Sequence, residues 1–172
     1  MDLRFTQPHL RKLDLLGTEV LVAALAEDER PPQGVAGLID YRLAGRISKL
    51  VASRFATGGV GEVLLLPARP KVPFDKVVLF GVGRKADFSE LVYRAVVEKI
   101  LSTLEGLFAR TAVVELPGRH FGGISPERAA DVLLEMAGGR PEHDVWTLIE
   151  PLEAQRTITQ QTIMERRRVR TL

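Results

Sequence analysis

The 172-residue chain contains no cysteine. That excludes disulfides and thiolate metal ligands, and it fits a reducing compartment. No run of 18 or more apolar residues occurs, so no transmembrane helix is expected. The first residues, MDLRFTQPHLRK, have neither a long apolar core nor a small-residue cleavage site. No signal peptide is therefore expected, and a cytoplasmic location is. Histidine occurs three times, at His9, His120 and His143, never at metal-ligand spacing and never in H-E-x-x-H. No G-x-S-x-G surrounds a serine, and no Lys-Ser or Lys-Thr completes a P-loop. Neither a metal nor a cofactor is expected.

What is present describes a soluble globular chain. Hydrophobic residues make up 45% of it, enough for one sizeable core, and charged residues of both signs make up 27%. One domain over 1–172 is the natural reading of this length. The net charge of +2 is unevenly spread. Of 24 basic and 22 acidic residues, five arginines and one acid fall in 155–172, which leaves 19 and 21 in the other 154 residues. A locally basic C-terminal segment is implied, not a basic surface.

Apolar patterning outlines the elements. VLVAAL (Val20 to Leu25) and Val63 to Leu66 read as short buried strands, as do Lys76 to Phe80, Thr111 to Leu116 and Val145 to Ile149. Leu3 to Thr6 is a further strand. Apolar residues at helical spacing predict helices over about 34–54 and 88–109. Ser125-Pro126-Glu127 predicts a helix start, and Gly138-Gly139 its end. The weak alternation of Thr157, Ile158 and Thr159 and of Thr162, Ile163 and Met164 reads as one or two edge strands in 155–172. Strands without alternation need both sheet faces covered, so the fold class is α/β, a three-layer α/β/α sandwich.

Two glycine stretches and one charge run are the candidate sites. Gly81-Val82-Gly83-Arg84 follows a strand and precedes a helix, an order that can present amides to an anion. It lacks the third glycine of a dinucleotide motif, and a structural turn is the favoured reading. Arg119-His120-Phe121-Gly122-Gly123 is a second loop that can touch a ligand, with His120 read as an exposed loop residue. Glu27-Asp28-Glu29 follows a strand end and reads as a solvated turn. Arg166, Arg167, Arg168 and Arg170 can meet nucleic acid or an acidic partner. No aromatic follows Trp146, however, which favours charge that blocks edge pairing.

Several stretches in order resemble one known family. They are VLVAAL before an acidic turn, Gly34-Val35-Ala36-Gly37-Leu38-Ile39-Asp40-Tyr41-Arg42-Leu43-x-Gly45, Phe55-x-Thr57-Gly58-x-x-Gly61-Glu62 before LLLP, and Lys76 to Arg84. The chain resembles the N-terminal domain of the cytosol (leucyl) aminopeptidases, the M17 peptidases, over about residues 18–150. The resemblance implies a macro-domain-like sandwich with a mixed sheet. It also implies that the catalytic metals sit in a separate C-terminal domain, whose N-T-D-A-E-G-R stretch is not in this sequence. A non-catalytic domain acting through association, with itself or with another protein, is the leading expectation. An ADP-ribose-like small-molecule binder using Gly81, Gly83, Arg84, Gly122 and Gly123 is the second. Nucleic-acid binding through the arginine tail is the third, and no membrane partner is expected.

Overall fold

The computed structural model describes residues 1–170, with side chains through residue 164. Six strands form one mixed sheet: β1 (Asp2–Thr6), β2 (Val20–Ala26), β3 (Val63–Pro67), β4 (Lys76–Gly83), β5 (Thr111–Val114) and β6 (Val145–Ile149). Their order is β1-β6-β5-β2-β4-β3. All neighbours run parallel except β3, which lies antiparallel to β4 at one edge.

The apolar strands sit where their patterning requires. β2 is buried along its whole length between β4 and β5. Its Val20, Val22, Ala24 and Ala26 face one core and its Leu21, Ala23 and Leu25 the other. A strand with apolar residues on both faces can only lie inside a sheet covered on both sides. The first core is closed by α4 (Glu90–Gly106) and α5 (Pro126–Ala137). The second is closed by the short α1 (Leu10–Leu13), by α2 (Gly34–Arg42) and α3 (Arg46–Ala52), and by residues 66–74. The expected three-layer α/β/α sandwich with a mixed sheet is what the chain forms.

Three expectations need correction. The helix expected over 34–54 is two helices. Ala44 and Gly45 take left-handed φ values of 55° and 78° between them. Gly45 at the start of α3 has no side chain to cap with, so buried Asp40 of α2 accepts from the amides of Ile47 (2.7 Å) and Ser48 (3.1 Å). The helix expected over about 88–109 runs over Glu90–Gly106, after a 3₁₀ turn over Lys85–Asp87; of the two residues able to cap it, Asp87 and Ser89, it is Ser89 that does so.

The third correction concerns the tail. It is a helix, α6 (Leu152–Arg170), not edge strands. Thr157, Thr159 and Thr162 donate to carbonyls four residues back, so their β-branching does not open the helix. Ala154 and Ile158, four apart, supply its buried stripe, and Gln161 bonds Asp131 of α5 at 2.8 Å. The side chains of Arg166, Arg167, Arg168 and Arg170 lie outside the described residues.

Candidate functional site at the strand carboxyl ends

Five parallel strands end at the same side of the sheet, and each hands the chain to a polar or charged segment. Glu29 follows β2, Lys85 follows β4, Glu115 follows β5, Glu150 follows β6 and Pro8 follows β1. Glu115, Arg119, His120 and Glu150 line a cleft of about 260 Å³ there, together with Pro8, Gly34 and Val35. The carboxyl ends of parallel strands are where α/β sheets present groups to a ligand.

Three carboxylates are buried in this region, and each has partners. Glu115 sits directly after β5. Its Oε2 accepts from the amide of Ala24 and its Oε1 from the amide of Val35, each at 3.0 Å. Burial pushes the Glu115 carboxyl above its ordinary range, against the pull of the nearby His120 and of those two amides. Glu29, expected in a solvated turn, is buried, and its Oε1 lies 2.7 Å from His120 Nε2. Lys85 Nζ approaches the same oxygen at 3.8 Å. Glu150 receives a two-pronged bond from Arg119, at 2.8 and 3.0 Å, while the same guanidinium donates to the Ile124 carbonyl at 2.7 Å.

His120, expected as an exposed loop residue, is enclosed between Glu29 and Glu115, with its side chain only 9% exposed. Burial alone would lower its pKa. The hydrogen bond to Glu29 and the charges of Glu115 and Glu29 outweigh that and raise it. A raised folded-state value means that protonated His120 adds stability below the ordinary histidine value near 6.5. That stability is lost as pH rises through the raised value. The expected result is an imidazole NMR titration with a midpoint above 6.5, moving down in the Glu29→Gln variant. An unchanged midpoint in that variant contradicts the assignment of the cause.

The glycine stretches are built differently from a ligand loop. Gly81 to Gly83 continue β4 instead of leaving it, and Gly83 pairs with Ala26. The Gly81 amide donates to the Glu62 carbonyl (2.9 Å) and the Gly83 amide to Gly58 (2.8 Å). Gly122 and Gly123 donate to Arg119 (3.2 Å) and Gly118 (2.8 Å). All four amides are thus engaged by the chain's own carbonyls, while the Arg84 side chain is exposed. Phe88 packs edge-on against Phe121 at 5.3 Å, which holds the segment after Arg84 against the 117–124 loop. Reading the sequence missed Glu115 and Glu150. Each is a single acid after an apolar strand, and only the sheet order shows that they share a cleft.

Residues 20–138 match the profile of the cytosol aminopeptidase family, N-terminal domain. A probable cytosol aminopeptidase of Pseudomonas fluorescens (strain SBW25) is 34% identical over 104 residues, 60% of this chain and 21% of that relative. The chain thus spans about a fifth of that relative's length. Among solved structures, a Trypanosoma brucei macrodomain in complex with ADP superposes with a TM-score of 0.72 at 15% identity, covering 94% of this chain and 69% of that one. A tomato leucine aminopeptidase mutant superposes at 0.66 and 13% identity, covering 94% of this chain and 35% of that one. The structures show a shared macrodomain-like fold, and the profile match over residues 20–138 places the chain in the cytosol aminopeptidase family, at its N-terminal domain.

Proposed function

We propose that this domain works through protein association, with a second copy of itself as the partner and the outer edge of β3 as the contact. One observation carries the reading: β3 is an uncharged edge strand whose outward backbone is unpaired among the described residues. The Glu62 carbonyl accepts from Gly81, and the Ala68 amide donates to Asp75 at 3.2 Å. Even-numbered positions therefore bond to β4, and the backbone groups of Val63, Leu65 and Pro67 point outward. An antiparallel copy centred on Leu65 would make about four backbone hydrogen bonds, the Leu65 pair twice and each Val63 amide to the Pro67 carbonyl opposite. Exposed Phe55 and Val60, on the segment leading into β3, and Leu65 itself add apolar surface. An uncharged edge strand is a template for pairing with another chain, and Pro67, which has no amide to donate, limits the pairing to these four bonds.

The test is light scattering after size exclusion. The wild-type chain is expected to run as a dimer at micromolar concentration, and Leu65→Lys as a monomer with its fold retained, since Leu65 is 46% exposed. A strict monomer at high concentration, or a Leu65→Lys dimer, overturns the reading.

Support for a macrodomain-type ligand is weaker. The neighbour bound to ADP shares the fold at 15% identity, and fold likeness alone is a poor guide to a ligand. The strand-end cleft here holds the carboxylates of Glu115 and Glu150, which weigh against a pyrophosphate. Among the described residues, no helix is long and apolar enough to cross a membrane. We place the domain in the cytosol by analogy with its cytosol aminopeptidase relatives.

A further inference from the structure

We propose that the crevice between β2 and β5 is an anion seat that the chain fills with its own Glu115. The topology marks the position first. From β2 the chain leaves through α2 and α3 on one face, passes through the edge strand β3 and runs back as β4, both on one side of β2. From β5, on the other side, it leaves through α5 on the opposite face and returns as β6. Between β2 and β5 the connections diverge, and such a switch point opens a crevice at the carboxyl ends where α/β sheets hold ligands.

The crevice is fitted to a two-oxygen anion. The Ala24 and Val35 amides each meet one oxygen of the carboxylate at 3.0 Å. Val35 is the second residue of the nine-residue α2, so its amide belongs to the positive end of a helix. Gly34 lets the backbone come this close: a Cβ there would lie 2.5 Å from Glu115 Oε1 and 2.7 Å from His120 Cγ.

His120 supplies the second, independent pointer. Its Nδ1 is buried without a hydrogen-bond partner and lies 3.6 Å from Glu115 Oε1. When the ring is protonated, Nε2 is held by Glu29 and Nδ1 is left as a third donor beside the seat. The strand-end cleft adjoins this group, lined by the same Gly34, Val35, Glu115 and His120. The ligand class is a small carboxylate, planar and two-pronged like the group it replaces. While Glu115 is seated, an anion from solution finds both amides taken and two carboxylates lining its approach. The chain carries a ligand site of its fold in a self-occupied form.

Removing the resident carboxylate opens the seat. Thermal unfolding of the full chain in acetate is compared with chloride at equal ionic strength. Acetate is expected to raise the Glu115→Ala midpoint by about 3–6 °C over chloride, the shift for a ligand near ten times its Kd. It is expected to leave the wild type and Glu115→Gln unmoved, because both side chains still fill the seat. An Ala variant that responds no more than the wild type, or a wild type that responds as strongly, overturns the proposal. Glu115→Gln gives a measurement that does not need the Ala variant to fold. A carboxamide offers one acceptor oxygen, so one of the Ala24 and Val35 amides should exchange with deuterium about tenfold faster than in the wild type. Wild-type protection at both amides also overturns it.

Discussion

Replacing Gly81 by alanine is expected to destabilise the domain by about 3 kcal/mol, a fall in Tm of about 6–12 °C. Gly81 lies inside β4, and its strand conformation would suit any residue. What forbids a side chain is the 57–62 loop folded over it. An added Cβ would sit inside contact distance of the Gly59 carbonyl oxygen and 2.7 Å from the Gly58 carbonyl carbon. Both neighbours are backbone, so no rotamer change relieves the clash. The loop has to lift, and in lifting it loses the Gly81–Glu62 and Gly83–Gly58 hydrogen bonds, each worth about 1 kcal/mol. Glu62 holds this loop from within, its carboxylate accepting from the Thr57 amide (3.0 Å) and the Gly58 amide (2.6 Å), so the loop resists moving as a unit. Gly106→Ala is the control. It lies at the end of α4 with nothing within 4 Å of its added Cβ, and there alanine is expected to be neutral or stabilising by up to about 1 kcal/mol. Thermal melts of the two variants check both statements. Equal midpoints would mean that packing against 57–62 does not set the need for Gly81.

The same glycine shows what the sequence can and cannot reveal. KVVLFGVG carries the apolar run of a buried strand, and that run is β4. Glycine is a common sign of a turn, yet here it marks two backbones in close approach, and a Cβ-sized gap leaves the same trace in sequence as a turn. The other buried strands were legible for the reason β4 was: each apolar run is too short for a helix and is bounded by breakers. Helix ends set by local serine caps were legible too, as Ser125 accepts from the Arg128 amide at 3.3 Å. The break between α2 and α3 was not, because the cap comes from Asp40, seven residues ahead of the amide it receives. α6 was misread because its threonines carry strand propensity, while its helix is fixed by packing on α5. The strand-end cluster was hidden for a related reason. Glu115 and Glu150 are single acids and Glu29 ends an acidic run that looks like a solvated turn; they are spread over more than a hundred residues, and only parallel pairing brings their strand ends together.

Removing Arg119 is expected to cost about 3–5 kcal/mol, because it leaves a buried carboxylate unpaired. Glu150 is 1% exposed at its side chain, and the Arg119 guanidinium is the one group that hydrogen-bonds its carboxylate among the described residues. The guanidinium also holds the Ile124 carbonyl, so the 117–124 loop loses its tie to the end of β6 in the same step. Arg119→Met keeps much of the side-chain volume and should show the loss as a Tm lower by about 6–20 °C. Glu150→Met alone should also destabilise, since it strands the guanidinium, which is 12% exposed. Combining the two replaces an ion pair by apolar groups of similar size and should recover most of the loss. A double-mutant cycle from the four melts then gives a coupling of at least about 2 kcal/mol. Additive losses would show that Arg119 acts through the loop alone. Strong coupling would show that the charged wall of the cleft is a closed structural pair, separate from the seat that Glu115 fills between the Ala24 and Val35 amides.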